Sequence, residues 1–417
     1  MGSNLKAAMR NKKIALLTLQ HLSNAPRAQK EARALAKAGA DVTVFGSWWN
    51  AERAVEDEQL ARELCVDFVP LVDLRPGAEA TLIPRLRTRL AKEAIRRFGV
   101  AMPEAFGTHA RQMLAAVKKL SPDLTMVHSE PGLWAGERLL KAGFKVGIDF
   151  EDWFSEDLLP SARRTRPIDA IAAAEKFILK NSAVSFATTD AMAQSLAKWA
   201  DHAPGLLTIP NCFPWQDAPE DAGNLDQRDP GAVSFYWFSQ TIGPGRGLET
   251  LAEALTHLTG HWQLHLRGKL HTRADWFEDT FDEKIRGRVI IQPIVPNEKL
   301  PAHSTSHDVG LALEEPFCKS RDLTATNKIF EYLRCGLSVI ATETSGQREV
   351  MKKCPEAGIL IPSDAPVTLI QAMQACIDSP EKLASSKKAA RSASQTVWDW
   401  QKFEAQLVSA VSHALLD

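Results

Sequence analysis

The chain has 417 residues, 45% hydrophobic and 24% charged, with a net charge of −1. This length exceeds one ordinary core and fits two domains of roughly 200 residues each, and the composition is that of a folded soluble protein. The near-zero charge gives no bulk electrostatic case for nucleic acid, the six cysteines form no Cys-x-x-Cys pair, and no apolar run suits a signal sequence or a bilayer span, so the expected compartment is the reducing cytoplasm.

Residues 1–12 read as a flexible N-terminus, and the pattern proper starts at Lys13. A strand is expected at Ile14–Leu19, then a polar loop Gln20–Pro26, a helix rich in Ala, Lys and Arg ending near Gly39, and a strand at Asp41–Phe45. That is a strand-helix-strand unit of a parallel sheet. The theme recurs at Leu124–Val127, Lys145–Ile148 and Val184–Thr188, with helices between.

Within this half, Leu82–Phe98 carries six basic residues against one acid, with Ile83, Leu86, Leu90, Ala94 and Phe98 near helical spacing. Such a helix either packs on its own domain, the commoner case, or lies on an anionic membrane surface. Around Pro210–Asn211 the alternation breaks, and Cys212–Gly231 has the polar, acidic, Pro- and Gly-rich composition of a linker.

A second series follows: strand Val233–Phe238, loop Ser239–Arg246, helix Gly247–Leu258, strands Gln263–Arg267, Val289–Gln292 and Val309–Leu313, a short helix, and strand Leu337–Ala341. The expected architecture is α/β: two doubly wound, Rossmann-like domains, 13–211 and 232–393, joined by the linker 212–231 and facing a central cleft. Residues 394–417 form a last amphipathic helix.

Candidate chemistry concentrates in Thr324–Val350, where the run TATNKIFEYLRCG precedes a strand. Thr326 and Asn327 are cap-type residues, and Cys335-Gly336 supplies a stop. Lys328 in the first turn and Glu331 three residues on share one side of this helix. Helix-start N–H groups and an ammonium suit a phosphate, and a carboxylate one turn deeper suits a ribose. The plain alternative is a surface ion pair between Lys328 and Glu331. In the loop Ser239–Gly247, Gly243, Gly245 and Gly247 let backbone approach a ligand, and Arg246 can grip two phosphate oxygens; alone, this is a surface turn. The spacing is not the G-x-G-x-x-G of a dinucleotide site.

In the first half, His21, Asn24 and Arg27 follow the first strand and are candidates for contacts with an acceptor, the alternative being capping by Asn24 with Arg27 solvated. His128 follows Leu124–Val127, and the acidic run Asp149–Asp157, with Glu151 and Asp152, follows Lys145–Ile148. The bland reading of that run is a solvated acidic face. No Asp-x-Asp motif and no cluster with metal-ligand spacing occurs, so no metal and no cofactor are expected.

The segment around Lys328 resembles the signature of family 4 glycosyltransferases (glycosyl transferases group 1), a Lys-x-x-Glu-Tyr run, then a small residue, Gly, and a Val-Ile-Ala-type strand. The resemblance extends from about Lys13 to the end and implies a GT-B fold whose C-terminal helix crosses back to the first domain. It implies that 13–211 binds the acceptor and 232–393 the nucleotide sugar, with Lys328 on the diphosphate and Glu331 on the ribose. Ser239 and Gln240 replace the family's Gly-Arg, and Arg246-Gly247 its Lys-Gly, so the donor set is Ser239, Gln240, Gly243, Arg246, Asn327, Lys328 and Glu331. Glu151 stands where the family has histidine and Asp152 where it has an acid, which makes Glu151 and His128 the catalytic candidates and His21, Asn24, Arg27 and Asp152 the acceptor candidates. The family's other glutamate would fall at Leu323, and Glu314, Glu315 or Asp322 is its candidate replacement.

The resemblance implies a retaining, metal-independent transferase that moves a sugar from a nucleotide-diphosphate sugar to a glycan or lipid-linked acceptor, in surface polysaccharide or glycolipid synthesis, with possible peripheral attachment to the inner membrane face through 82–98. The competing readings are a nucleotide-sugar epimerase on the same fold and a degenerate nucleotide-sugar-binding protein.

Overall fold

The computed structural model describes residues 8–75, 82–217, 228–271 and 275–416. Residues 1–7 of the expected flexible start and 218–227 of the expected linker lie outside the described residues. The chain forms two compact units that divide between Ile209 and Pro210 and between Gln401 and Lys402.

The first unit is built on seven strands: β1 (Lys13–Leu17), β2 (Asp41–Trp48), β3 (Asp67–Asp73), β4 (Leu124–Val127), β5 (Val146–Phe150), β6 (Val184–Ala187) and β7 (Leu206–Thr208). Their order is β3-β2-β1-β4-β5-β6-β7, all neighbours parallel. The central strands are buried throughout, as expected where helices cover both faces of a parallel sheet. The order reverses between β1 and β4, so the loops after these strands diverge and leave room for side chains to converge.

The second unit repeats the plan with β8 (Val233–Ile242), β9 (Trp262–Leu270), β10 (Val289–Gln292), β11 (Val309–Ala312), β12 (Ser338–Thr342) and β13 (Gly358–Ile361), in the order β10-β9-β8-β11-β12-β13, again parallel. Its reversal falls between β8 and β11. One apolar cluster centred on Phe235, Trp237, Leu264, Leu266, Leu311 and Ile340 fills the core.

Of the helices, those that matter below are α1 (Pro26–Lys37), α2 (Leu82–Phe98), α3 (Leu248–Leu255), α4 (Asn327–Arg334), α5 (Ser345–Lys352) and α6 (Trp400–Leu416). Among the described residues, no helix is long and apolar enough to cross a membrane.

Three strands were not visible in the sequence pattern, and each lies at a sheet edge: β3, β7 and β13. β3 contains Pro70, which an edge strand tolerates because it lacks a ladder donor. β8 also runs four residues past its expected end. The Phe238/Thr241 irregularity lets Thr241 pair with Lys269, so Ser239 and Gln240 sit on a strand bulge and not in the loop.

The expectation for α2 needs correction. Ile83, Leu86, Leu90 and Phe98 are 63%, 58%, 56% and 75% exposed, so the apolar stripe is not packed on its own domain; Ala91 is the buried contact. At the other terminus, Asp399 accepts from the Trp215 N–H and Trp400 N–H donates to Phe213 O, both within the second unit. From Lys402 onward α6 belongs to the first unit, where Lys145 Nζ donates to Ala414 O at 3.1 Å and Leu415 O at 3.4 Å. An ammonium at a helix C-terminus meets both the orphan carbonyls and the negative end of the dipole.

Candidate functional site

In the second unit, the β8–α3 loop carries the glycines. Gly245 and Gly247 have φ of +70° and +73°, which side-chain-bearing residues rarely adopt. A Cβ on Gly247 would also lie 2.7 Å from Leu313 O, so glycine there lets the loop press against the chain leaving β11. Gly247 is the N-cap of α3, and its N–H donates to Glu315 Oε1 at 2.8 Å. Arg246 is exposed and reaches Ser239 Oγ at 3.1 Å.

α4 starts beside this loop's partner strand. Its N-cap Thr326 makes no side-chain cap bond, and its hydroxyl instead donates to Glu314 Oε1 at 3.2 Å. Asn327 opens the helix with Oδ1 unbonded among the described residues. Lys328 Nζ lies 2.6 Å from Glu314 Oε1 and 5.5 Å from the Trp237 ring, and is 16% exposed. Burial alone would raise the Glu314 carboxyl's pKa, but Lys328, joined by Arg321 and the Thr326 hydroxyl, outweighs it and holds the group below the usual glutamate range.

The Lys328–Glu331 surface ion pair does not form. Glu331 is buried one turn below, with Oε2 bound by Arg334 at 2.6 Å and Oε1 meeting Cys335 Sγ at 3.5 Å. Among the acids ahead of α4, Asp322 is committed elsewhere: its two oxygens take the Ser345 N–H at 3.0 Å and hydroxyl at 2.7 Å at the start of α5. Glu314 and Glu315 are the two carboxylates that meet the glycine loop and Lys328, and their adjacent acidic pair after a buried strand is the signal that points to them.

The first unit gathers a different cluster at its own reversal point. Arg27 on α1 donates from Nε to Asp149 Oδ2 at 2.7 Å and from Nη1 to Ile209 O at 2.7 Å. His128, after β4, lies 2.9 Å from Glu31 Oε2 and 3.9 Å from Asp149 Oδ2. Burial would lower the His128 pKa, but Glu31 and Asp149 together raise it above the usual value, which favours an imidazolium between two carboxylates. Glu151, half-buried in the next loop, has its carboxyl pushed up by burial and by Asp149, with Arg27 opposing.

These positions correct three expectations. His21 is fully buried: Nδ1 donates to Asp57 Oδ2 at 2.6 Å and Nε2 accepts from the N–H groups of Trp49 and Asn50. Arg27 is 1% exposed and His128 3%, so none of the three presents a surface to an acceptor or a transferred sugar. Both His21 ring nitrogens and the Arg27 Nε and Nη1 groups are paired inside the fold, and His128 Nε2 faces Glu31. Asn24 does not cap α1, whose N-cap is Ala25, and stays half-exposed, as does Asp152. Glu31 and Asp149 were missed because their partners lie on three different elements. The ligand-type atoms of Glu31, His128 and Asp149 lie within 4.8 Å of one another, a cluster invisible to sequence spacing, and Arg27 supplies a positive charge at Asp149.

Two family models match: Glycosyl transferase 4-like domain over residues 25–212 and Glycosyl transferases group 1 over residues 235–379. No curated protein sequence matches the chain. Among solved structures, HepE from Anabaena in complex with UDP-glucose is 15% identical, with a TM-score of 0.70 over 96% of this chain and 100% of that one. Sucrose-phosphate synthase from Thermosynechococcus elongatus is 19% identical, with a TM-score of 0.69 over 95% and 97%. WaaG, a glycosyltransferase involved in lipopolysaccharide biosynthesis, is 12% identical, with a TM-score of 0.63 over 94% and 98%. These likenesses establish the GT-B fold.

Proposed function

We propose that this chain, which belongs to the group 1, family 4-like glycosyltransferases of GT-B fold, moves a sugar from a nucleotide-diphosphate sugar to a glycan or lipid-linked acceptor with retention of configuration and without a metal ion. The observation that carries the reading is the meeting, at the β8/β11 reversal point, of a glycine loop, a helix N-terminus and Lys328. Arg246, Lys328, Asn327 and the loop amides at Gly243 neutralise the donor diphosphate, with Ser239 and Gln240 beside them on the bulge. Glu331, buried with Oε2 on Arg334 and Oε1 on the Cys335 thiol, reaches a ribose hydroxyl only on Oε1 and only where that thiol gives way.

Retention follows if the leaving diphosphate oxygen deprotonates the acceptor on the same face, which leaves the protein to position groups and stabilise charge. Glu151, whose carboxyl is pushed above the ordinary glutamate range by burial and by Asp149 against Arg27, is assigned to the transferred sugar, and Asp152 and Asn24 to the acceptor. The neighbour named for lipopolysaccharide biosynthesis supports a surface-glycan role. The exposed apolar stripe of α2, set among Arg85, Arg89, Lys92 and Arg96, supports docking on an anionic membrane surface and hence a lipid-linked acceptor.

A panel of nucleotide sugars tests the reading. Release of nucleoside diphosphate is the expected result; isomerised donor would make the chain an epimerase, and binding without either product a non-catalytic receptor.

A further inference from the structure

Three acids lie between β11 and α4, in a segment where the family resemblance leaves a glutamate missing at Leu323. Asp322 is spent on α5 and Glu315 on the Gly247 amide. Glu314 alone reaches Lys328, and its own backbone is pinned, because Thr342 Oγ1 at the end of β12 donates to Glu314 O at 2.5 Å. The carboxylate therefore projects from a fixed point of the sheet.

Lysine is a point charge on a flexible four-carbon stem, and it holds a phosphate well only if something restrains that stem. Here the Trp237 ring and the Glu314 carboxylate, on two different elements, do so. An ammonium has three donor hydrogens. Glu314 takes one and leaves the others for an anion.

We propose that Glu314 is a positioning residue of the donor site: it touches neither sugar nor nucleotide, but holds the Lys328 ammonium and the Thr326 hydroxyl at the start of α4 in the pose that receives the diphosphate. The assignment rests on the donor-site reading above. It has a rival with the opposite sign. A carboxylate on Lys328 could instead compete with the incoming diphosphate, and its removal would then tighten binding.

The test is calorimetric binding of UDP, GDP and ADP, and of the matching nucleosides, to the full chain and to Glu314→Ala, Glu314→Gln, Lys328→Ala and the Glu314→Ala/Lys328→Ala double variant, with the tightest diphosphate used throughout. Glu314→Ala is expected to weaken that diphosphate about five- to tenfold with the nucleoside unchanged, and Glu314→Gln, which keeps an acceptor oxygen, to recover to within about twofold. In the Lys328→Ala background, Glu314→Ala should have little further effect, within about twofold, because only the part that passes through the Thr326 hydroxyl remains. Tighter diphosphate binding in Glu314→Ala, or an equal loss in both backgrounds, would overturn the assignment while leaving the donor site intact. If the unsubstituted chain binds no diphosphate, the donor-site reading fails and the assignment with it.

Discussion

The two units place ionic groups at the same topological point, where strand order reverses, yet treat them in opposite ways. In the first, Arg27, Glu31, His128 and Asp149 are buried and answer one another, with Arg27 and His128 balancing the two carboxylates. In the second, Lys328 is held by one carboxylate at the edge of solvent, and Arg246 and the loop tip at Pro244 and Gly245 are exposed. Equivalent fold positions thus serve cohesion in one unit and, on the proposed function, ligand capture in the other. Charge buried among counter-charges inside a core is poorly exposed to bind anything else.

The largest effect should come from breaking the first cluster. Arg27→Met removes the cation facing Asp149 and leaves carboxylates buried, a change expected to cost about 3 to 5 kcal/mol in denaturant unfolding, whereas Lys328→Ala, which leaves Glu314 with the Thr326 hydroxyl near solvent, should cost less, about 1 to 2 kcal/mol. Near-equal losses would erase the distinction between the two units.

Glu331 tests the boundary between the two modes. Glu331→Ala would strand the Arg334 guanidinium in a buried site, so a loss of about 3 kcal/mol in stability is expected along with any loss of affinity. Glu331→Gln is the fairer probe of ribose contact, and its melting temperature should stay closer to that of the unsubstituted chain.

A pH comparison of similar size is available. Burial raises the Glu175 carboxyl of the first unit to about 7 from its ordinary 4.5, against opposing hydrogen bonds from Ser155. Between these two values the unfolded chain has lost this proton and the folded chain has kept it, so stability falls as pH rises from about 4.5 to 7, by about 3 kcal/mol, and then levels. Glu314 of the second unit has the opposite sign. Its depressed pKa adds stability above the unfolded value that is lost as pH falls through the folded one. Thermal melts of Glu175→Gln should lose the neutral-side decline; an unchanged profile would contradict the buried protonated carboxyl.

What the residue pattern disclosed divides along the same line. Both parallel sheets, the glycine loop and Lys328 were readable, because buried strands and turn glycines leave local signatures. The edge strands β3, β7 and β13 were not, since short, half-exposed strands carry little periodicity. The Arg27 cluster was hidden for another reason: Arg27 and Asp149 are 122 positions apart, and only the sheet order brings them together. His21 illustrates the converse error, since a loop histidine after a first strand looks available until Asp57, 36 residues on, closes over it.

The smallest effect per residue belongs to α2. Each exposed Arg or Lys near an anionic surface contributes about 1 kcal/mol. Co-sedimentation should therefore rise when phosphatidylglycerol is added to phosphatidylcholine vesicles and fall in high salt or when Arg85, Arg89, Lys92 and Arg96 are replaced by Gln. Indifference to lipid charge would refute electrostatic docking.

The claim on which the account turns is that Lys328 and Arg246 with the glycine loop form the diphosphate clamp. Calorimetry of nucleoside diphosphate against nucleoside, on the unsubstituted chain, Lys328→Ala and Arg246→Ala, tests it directly. The account predicts a loss of about tenfold or more for the diphosphate in each variant, as a charge-assisted contact worth about 1.5 to 3 kcal/mol disappears, with the nucleoside unaffected. Diphosphate binding unchanged in both folded variants would contradict it.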